Sequence, residues 1–327
     1  MEFHHTVHTM NHPLLDQLRY EQVRCPLCGA AEATPLVDFA AAKSGLRIPM
    51  RSVVCNACGL AYANNRPNAR AYNEFYEDFY KWEYGKERIE VRAADRDEGA
   101  GADLKTKRVV DFLKGSLSRV PRAVDLGCSM GKLLVQIKKE YPEASVLGVE
   151  LDRLTAQRAR DSGIPINEES IDAYLDAAPP RGADLIIMRH VLEHLLEPLP
   201  TLAKIKRHCD DNGFLYIEVP NVLTFTRTLS HFFMPGHVMH FCPETLSLLL
   251  LRSGFRVVRI GSLEHGVLCV LATPVENGNG YYPFSSIDFG SAARRTHRHV
   301  RFMKRYGGIV TRFSRRLARL SALLKKR

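Results

Sequence analysis

No apolar run in this 327-residue chain approaches the ~20 residues that a membrane-spanning helix needs; runs such as residues 246–251 fall far short. That absence leaves no candidate membrane-spanning helix within these residues. Residues 1–13 are polar and histidine-bearing and hold no apolar core of a secretory signal, so a cytoplasmic location is expected. No internal repeat is visible, which excludes a solenoid or propeller. The eight cysteines lack the pattern of a disulfide framework. Four lie in two close pairs, while Cys128, Cys209, Cys242 and Cys269 are scattered through apolar segments, a usage that fits a metal site plus buried thiols in a reducing compartment. Acidic residues are missing from 291–327, which carries 13 Lys or Arg. The net charge of +10 therefore belongs to that tail, since the rest has 33 basic against 36 acidic residues. With 45% hydrophobic and 25% charged residues, the composition is that of an ordinary globular protein.

Four segments are expected: a lead-in (1–20), a cysteine ribbon with an aromatic segment (21–85), a larger domain (86–275) and a basic tail (276–327). The aromatic segment holds Tyr72, Phe75, Tyr76, Phe79, Tyr80, Trp82 and Tyr84. In the larger domain, short Val-, Ile- and Leu-rich runs at 123–126, 145–150, 185–188 and 214–219 read as strands covered on both faces. Helical patterns at 132–140, 154–162, 199–208 and 244–253 separate or follow them, with Gly163, Gly213 and Gly254 near three helix ends, where glycine suits a left-handed cap. Runs at 256–260 and 266–272 complete the domain as a hairpin-like end. Alternating strands and helices predict an α/β, Rossmann-like, doubly wound and mainly parallel sheet, flanked by a small N-terminal ribbon and a C-terminal basic helical tail.

The first strand runs into Asp125-Leu126-Gly127-Cys128-Ser129-Met130-Gly131. Glycines at this turn allow a tight bend and close approach of a ligand, and the following helix offers its N–H groups to a carboxylate. The second strand ends in Val149-Glu150-Leu151-Asp152, and an acid there can accept both ribose hydroxyls of a nucleoside. The spacing is not Gly-x-Gly-x-x-Gly, which disfavours a nicotinamide dinucleotide. Asp-Leu-Gly-Cys-Ser-Met-Gly resembles the first motif of class I S-adenosylmethionine (SAM)-dependent methyltransferases, with Ser129 in place of the middle glycine. Residues 183–195, including His190-Val191-Leu192-Glu193-His194, resemble the family's fourth-strand motif, residues 213–221 its fifth strand, and residues 240–246 with 253–255 its late helix. The resemblance covers roughly residues 104–274. It implies SAM as cofactor, with contacts from Asp125, Gly127, Cys128, Ser129, Gly131, Glu150, Leu151, Arg189 and His190.

Cys25-Pro26-Leu27-Cys28-Gly29 and Cys55-Asn56-Ala57-Cys58-Gly59 are paired knuckles suited to tetrahedral Zn²⁺. Four thiolate ligands leave no open position, so a structural zinc ion on Cys25, Cys28, Cys55 and Cys58 is expected. A cysteine ribbon ahead of such a domain is similar to methyltransferases of sugars, polysaccharide-biosynthesis and natural-product intermediates. One related group methylates sugar carbon and uses a Glu-His pair; His240 matches the histidine, but Met239 replaces the acid. The expected reaction is therefore methyl transfer to a hydroxyl of a small sugar-containing or lipid-linked acceptor, with sugar C-methylation as an alternative.

A hydroxyl acceptor needs a base, and histidine suits neutral pH. His240 is the first choice, then His237, both in the 220–243 connection; His190 stands at the mouth of the fourth strand and reads chiefly as a cofactor contact. Glu193 and His194 read as residues that cap and pack the start of the next helix. In the tail, Phe313, Leu317, Leu320 and Leu324 share one helical face flanked by Arg312, Arg315, Arg316 and Arg319, a pattern that fits a peripheral anionic membrane surface through residues 291–327. Residues 21–60 have no dense basic patch, so nucleic acid is not the expected partner. The rival from another class is a non-catalytic, RNA-directed protein using ribbon and tail. Oligomeric state is not legible.

Overall fold

Fifteen short strands carry the fold in the computed structural model, which describes residues 19–41, 47–72, 99–225, 228–263, 266–275 and 290–306. Among the described residues, seven precede helix Gly99–Lys114: β1 (Tyr20–Gln22), β2 (Ala33–Val37), β3 (Ala40–Ala41), β4 (Arg47–Ile48), β5 (Ser52–Cys55), β6 (Ala61–Ala63) and β7 (Asn65–Pro67). The others are β8 (Arg122–Leu126), β9 (Ser145–Val149), β10 (Ile166–Asn167), β11 (Ala183–Arg189), β12 (Cys209–Pro220), β13 (Met239–His240), β14 (Phe255–Leu263) and β15 (Val267–Pro274). They divide between two compact units, one made of residues 1–91, 221–242 and 288–327, the other of 92–220 and 243–287.

The second unit is built on a seven-stranded sheet of order β10-β9-β8-β11-β12-β15-β14. Neighbours from β10 to β12 are parallel, and β15 lies antiparallel to both β12 and β14. The strand order reverses at β8, the kind of switch point outside which α/β sheets bind ligands. The inner strands are almost uniformly apolar because helices cover both faces: Leu185, Ile186, Ile187 and Met188 are all fully buried. Helix Lys132–Glu140 buries Leu133, Leu134 and Ile137, and helix Arg153–Asp161 buries Ala156 and Ala159. Asp152 caps the latter by accepting from Thr155 N at 2.9 Å. Leu134, Ile137, Leu185, Ile187, Tyr216 and Leu271 meet in one core with Val109 and Leu113 of helix Gly99–Lys114. Full burial of each such aliphatic side chain contributes about 1.5–3 kcal/mol.

The strands and helices lie where the apolar runs place them, and β14–β15 is the expected antiparallel pair. Two local expectations need correction, and one helix was not expected. Gly163 (φ 76°) and Gly254 (φ 78°) are left-handed caps, but Gly213 is not. Cys209 turns extended immediately after helix Pro198–His208, so Gly213 lies inside β12, where an added Cβ would meet Cys209 Sγ at 2.9 Å. Glu193 and His194 form a single 3₁₀ turn, Leu192–His194, and the α-helix begins only at Pro198, whose missing N–H costs nothing in a first turn. Helix Ile171–Ala177, capped by Ser170 accepting from Ala173 N, is too short to show a periodic signal.

The first unit holds a four-stranded antiparallel sheet of order β13-β6-β5-β2. Its edge strand β13 comes from the 221–242 connection, pairing Met239 with Tyr62 and His240 with Ala61. That connection, grouped with the larger domain in the sequence reading, thus packs with the ribbon, and long-range pairing of this kind leaves no local signature. Tyr72 is tied to it as well, donating its hydroxyl to Gly236 O at 2.8 Å. Leu36, Val54, Ala61, Val222, Phe225, Phe232 and Phe233 form the unit's core with Ala292, Val300 and Met303 from the helix over 290–306. The aromatics at 75–84 and the apolar residues at 313–324 lie outside the described residues.

Candidate active site

Left-handed backbone at alternate residues shapes the turn after β8: Gly127 (φ 78°), Ser129 (φ 51°) and Gly131 (φ 68°). Both Gly127 N and Cys128 N donate to Val149 O, at 2.8 and 3.2 Å, pinning the turn to the end of β9. A Cβ on Gly127 would sit 2.7 Å from Val191 Cγ2, so this position excludes side chains on contact as well as on conformation. Ser129 accepts the same backbone region without glycine's freedom, at a cost of about 1–2 kcal/mol. The turn aims Ser129 N at Glu150 Oε2 (2.8 Å), while Asp152 N donates to Oε1 (2.8 Å). Two main-chain donors thus hold the Glu150 carboxylate in place just beyond β9. Leu151 beside it is 58% exposed. Cys128 is buried against Gly148, and burial pushes its thiol well above the usual range, so it packs and does not react.

A cluster of charges occupies the carboxyl ends of β8, β11 and β12. Asp125 is buried, and its Oδ1 has no hydrogen-bond partner among the described residues. Burial pushes its pKa up to about 7 despite the nearby Arg189. Arg189 donates through Nε (3.0 Å) and Nη2 (3.3 Å) to the two oxygens of Glu218. Tyr216 Oη adds a third donor to Glu218 at 3.1 Å, and His190 Nε2 lies 3.2 Å from Glu218 Oε1. Burial opposes ionisation of Glu218, but His190 and Arg189 outweigh it and hold the carboxyl at about 2. His190 has a left-handed backbone (φ 54°), its N–H donating to Glu218 O at 2.8 Å. Its ring bridges two acids, with Nδ1 3.3 Å from Glu193 Oε1. Partial burial works against the imidazolium, yet the hydrogen bonds to Glu193 and Glu218 raise its pKa to about 9. At neutral pH such a histidine is a charged donor and a poor proton acceptor.

The expected cofactor contacts Asp125, Gly127, Cys128, Ser129, Gly131, Glu150, Leu151, Arg189 and His190 all fall at this end of one sheet. Sequence reasoning missed Glu218 and Tyr216. A signal was available: an acid within the apolar strand Leu215-Tyr216-Ile217-Glu218-Val219 must be paired if that strand is central.

His237 and His240 belong to the other unit. His240 is buried, its ring stacked with Phe232 (centroids 5.3 Å apart) and 4.4 Å from that of Phe233. His237 Nδ1 lies 3.0 Å from Phe232 O. In the same unit the thiols of Cys25, Cys28, Cys55 and Cys58 come within 4.8 Å of one another, the pairs Cys25–Cys58 and Cys28–Cys55 at 3.5 Å. Each knuckle closes through a left-handed glycine, Gly29 or Gly59, whose N–H donates to the first cysteine's carbonyl. The other four cysteines are buried thiols, as expected from their apolar settings.

A family model described as a methyltransferase domain matches residues 97–260. Among curated proteins, the trans-aconitate 2-methyltransferase of Methylobacterium nodulans is 30% identical over 125 residues, covering 37% of this chain and 47% of that protein. That of Rhizobium rhizogenes is also 30% identical over 125 residues, covering 37% and 48%. The chain spans about half the length of the curated relatives it matches. Among solved structures, a SAM-dependent methyltransferase from Aquifex aeolicus matches with 19% identity and a TM-score of 0.46, over 57% of this chain and 98% of that one.

Proposed function

The chain belongs to the methyltransferase domain family, and from that premise we propose that it catalyses SAM-dependent methyl transfer to a small-molecule acceptor. The observation that carries this reading is Glu150, held by Ser129 N and Asp152 N beside a turn with two left-handed glycines. An acid so fixed is suited to ribose hydroxyls, and N–H groups at the start of helix Lys132–Glu140 suit the methionine carboxylate. When bound, SAM supplies an activated methyl group on a sulfonium. The residues contribute placement: Glu218 sets the orientation of Arg189 and His190, and in-line alignment of acceptor and methyl group supplies much of the rate. His190, already protonated, is assigned to holding the cofactor end of the site. Proton acceptance from a hydroxyl acceptor is assigned to His240, with His237 as the alternative.

The proposed acceptor is a hydroxyl of a sugar-containing or lipid-linked intermediate, as the ribbon-plus-domain resemblance implies. Met239 in place of an acid before His240 speaks against C-methylation. The likeness to trans-aconitate 2-methyltransferases supports a second reading, an acceptor such as trans-aconitate whose ionised carboxylate attacks without a base. The four ribbon thiols fit Zn²⁺: bonds of about 2.3 Å in a tetrahedron place sulfurs about 3.8 Å apart, against the observed pairs at 3.5 Å. Four such ligands make the ion structural. Elemental analysis of the purified chain should find one zinc, lost on Cys55→Ser; a metal-free folded protein would dismiss it.

Calorimetric titration with SAM tests the main proposal. Saturable binding that Glu150→Ala weakens supports it. No binding by demonstrably folded protein overturns it and moves attention to the RNA-directed rival, whose binding should weaken steeply with salt.

A further inference from the structure

The helix over 290–306 carries none of the residues assigned to the proposed site. One of its faces is spoken for: Ala292, Thr296, Val300 and Met303 are buried, and three of them join the core of the first unit. That packing fixes which way the rest of the helix points. The outward face carries Arg294, Arg298, Arg301 and Arg305, all exposed, at successive spacings of four, three and four. At 1.5 Å per residue they form a basic stripe about 16 Å long. Two large rings border the stripe in the open, Phe302 at 47% and Tyr306 at 39% exposure, with centroids 5.2 Å apart. Arg305 lies over the Tyr306 ring at 5.3 Å. Lys304 is exposed too, and no acidic residue occurs anywhere in 291–327.

We propose that this arginine stripe, with Phe302 and Tyr306 beside it, is a docking surface for an anionic lipid bilayer. The arginines meet headgroup phosphates, and the two rings enter the interfacial layer where aromatics are favoured. Nucleic acid would satisfy the same charges, but the apolar side of the surface argues for lipid. Beyond Phe302 and Tyr306 the sequence repeats apolar residues at helical spacing as Ile309, Phe313, Leu317, Leu320 and Leu324. Four of those five are aliphatic, which gain by burial in acyl chains and offer nothing to stacked bases. The inference is independent of the methyl-transfer reading, since it rests on an exposed helix face that carries none of the proposed site residues.

Co-sedimentation of the full chain tests it, using phosphatidylcholine vesicles with and without about one-third phosphatidylserine. Binding should require the anionic lipid and fade as salt is raised. Arg298→Gln/Arg301→Gln/Arg305→Gln, all exposed changes, should lower the partition coefficient at least about tenfold; Phe302→Ser/Tyr306→Ser should lower it with less salt dependence. Thermal melts confirm that each variant is folded. Equal binding to neutral vesicles, no binding to either kind, or variants that bind like the parent would overturn the proposal. A single-stranded RNA that binds through the same arginines while vesicles do not would replace lipid with nucleic acid.

Discussion

Replacing Glu218 by glutamine removes one charge and no volume, and the structure sets what should follow. The carboxylate is buried and receives Arg189 Nε and Nη2, Tyr216 Oη and His190 Nε2 within 3.0–3.3 Å. An amide turns one acceptor into a donor, so the two groups on that atom face another N–H: Arg189 Nη2 and His190 Nε2 on the Oε1 side, or Arg189 Nε and Tyr216 Oη on the Oε2 side. Removing one partner of a buried ion pair costs roughly 3–5 kcal/mol, and the Arg189 side chain, 22% exposed, recovers part of that from water. A loss of about 3 kcal/mol is expected, or a fall in Tm of roughly 6–12 °C for a unit of this size. His190 reports independently. Its pKa of about 9 lies above the ordinary 6.5, so its contribution is complete below pH 6.5 and is lost as pH rises toward 9. The shift corresponds to about 3 kcal/mol at most; because the side chain is 45% exposed, we take about 1–2 kcal/mol. In Glu218→Gln that alkaline loss should shrink and the histidine should titrate nearer neutrality. Urea unfolding at pH 7 and 9, with an NMR titration of the His190 ring, measures both. A stability change below about 1 kcal/mol together with an unmoved His190 titration would refute the idea that Glu218 organises the cluster.

Three further outcomes follow from the same geometry. Ser129→Gly should raise stability by about 1 kcal/mol by relieving the left-handed backbone, read as a higher urea midpoint; a decrease would mean the hydroxyl makes a contact worth more than the strain. Asp125 has its folded pKa raised to about 7 from 3.8, so it costs stability progressively as pH climbs through that window. Asp125→Asn should therefore gain on the parent by about 2–4 kcal/mol between pH 4 and 8, and a difference that stays flat with pH would show the carboxyl is not strained by burial. His240→Gln should cut kcat by about 10²–10⁴ with a hydroxyl acceptor, whereas turnover of trans-aconitate should be untouched; loss with both acceptors would point to a packing role among Phe232 and Phe233.

Much of the architecture was legible because its causes are local. Uniformly apolar runs could only be strands covered on both faces, and glycines at 127, 131, 163 and 254 stood where the backbone turns left-handed. Glu150 was legible because strand-end acids follow a glycine turn at a regular distance. Gly213 misled, since a glycine after a helix looks the same whether it caps the helix or, as here, packs tightly within the following strand. The apolar neighbours of Glu218 signal that this acid must be paired but not with what, since Arg189 and His190 arrive from the adjacent strand.

The sequence by itself determined the alternating strand and helix pattern, the glycine turn with its acid, the two cysteine knuckles and the placing of the net positive charge in the last residues. Tertiary structure alone decided that residues 221–242 supply a strand to the ribbon sheet, that one face of the helix over 290–306 is buried and the opposite one is not, and that His190 is held between two acids. Those outcomes depend on contacts between segments far apart in the chain, whose free energies arise from burial and desolvation in the assembled core and leave no mark on local propensity.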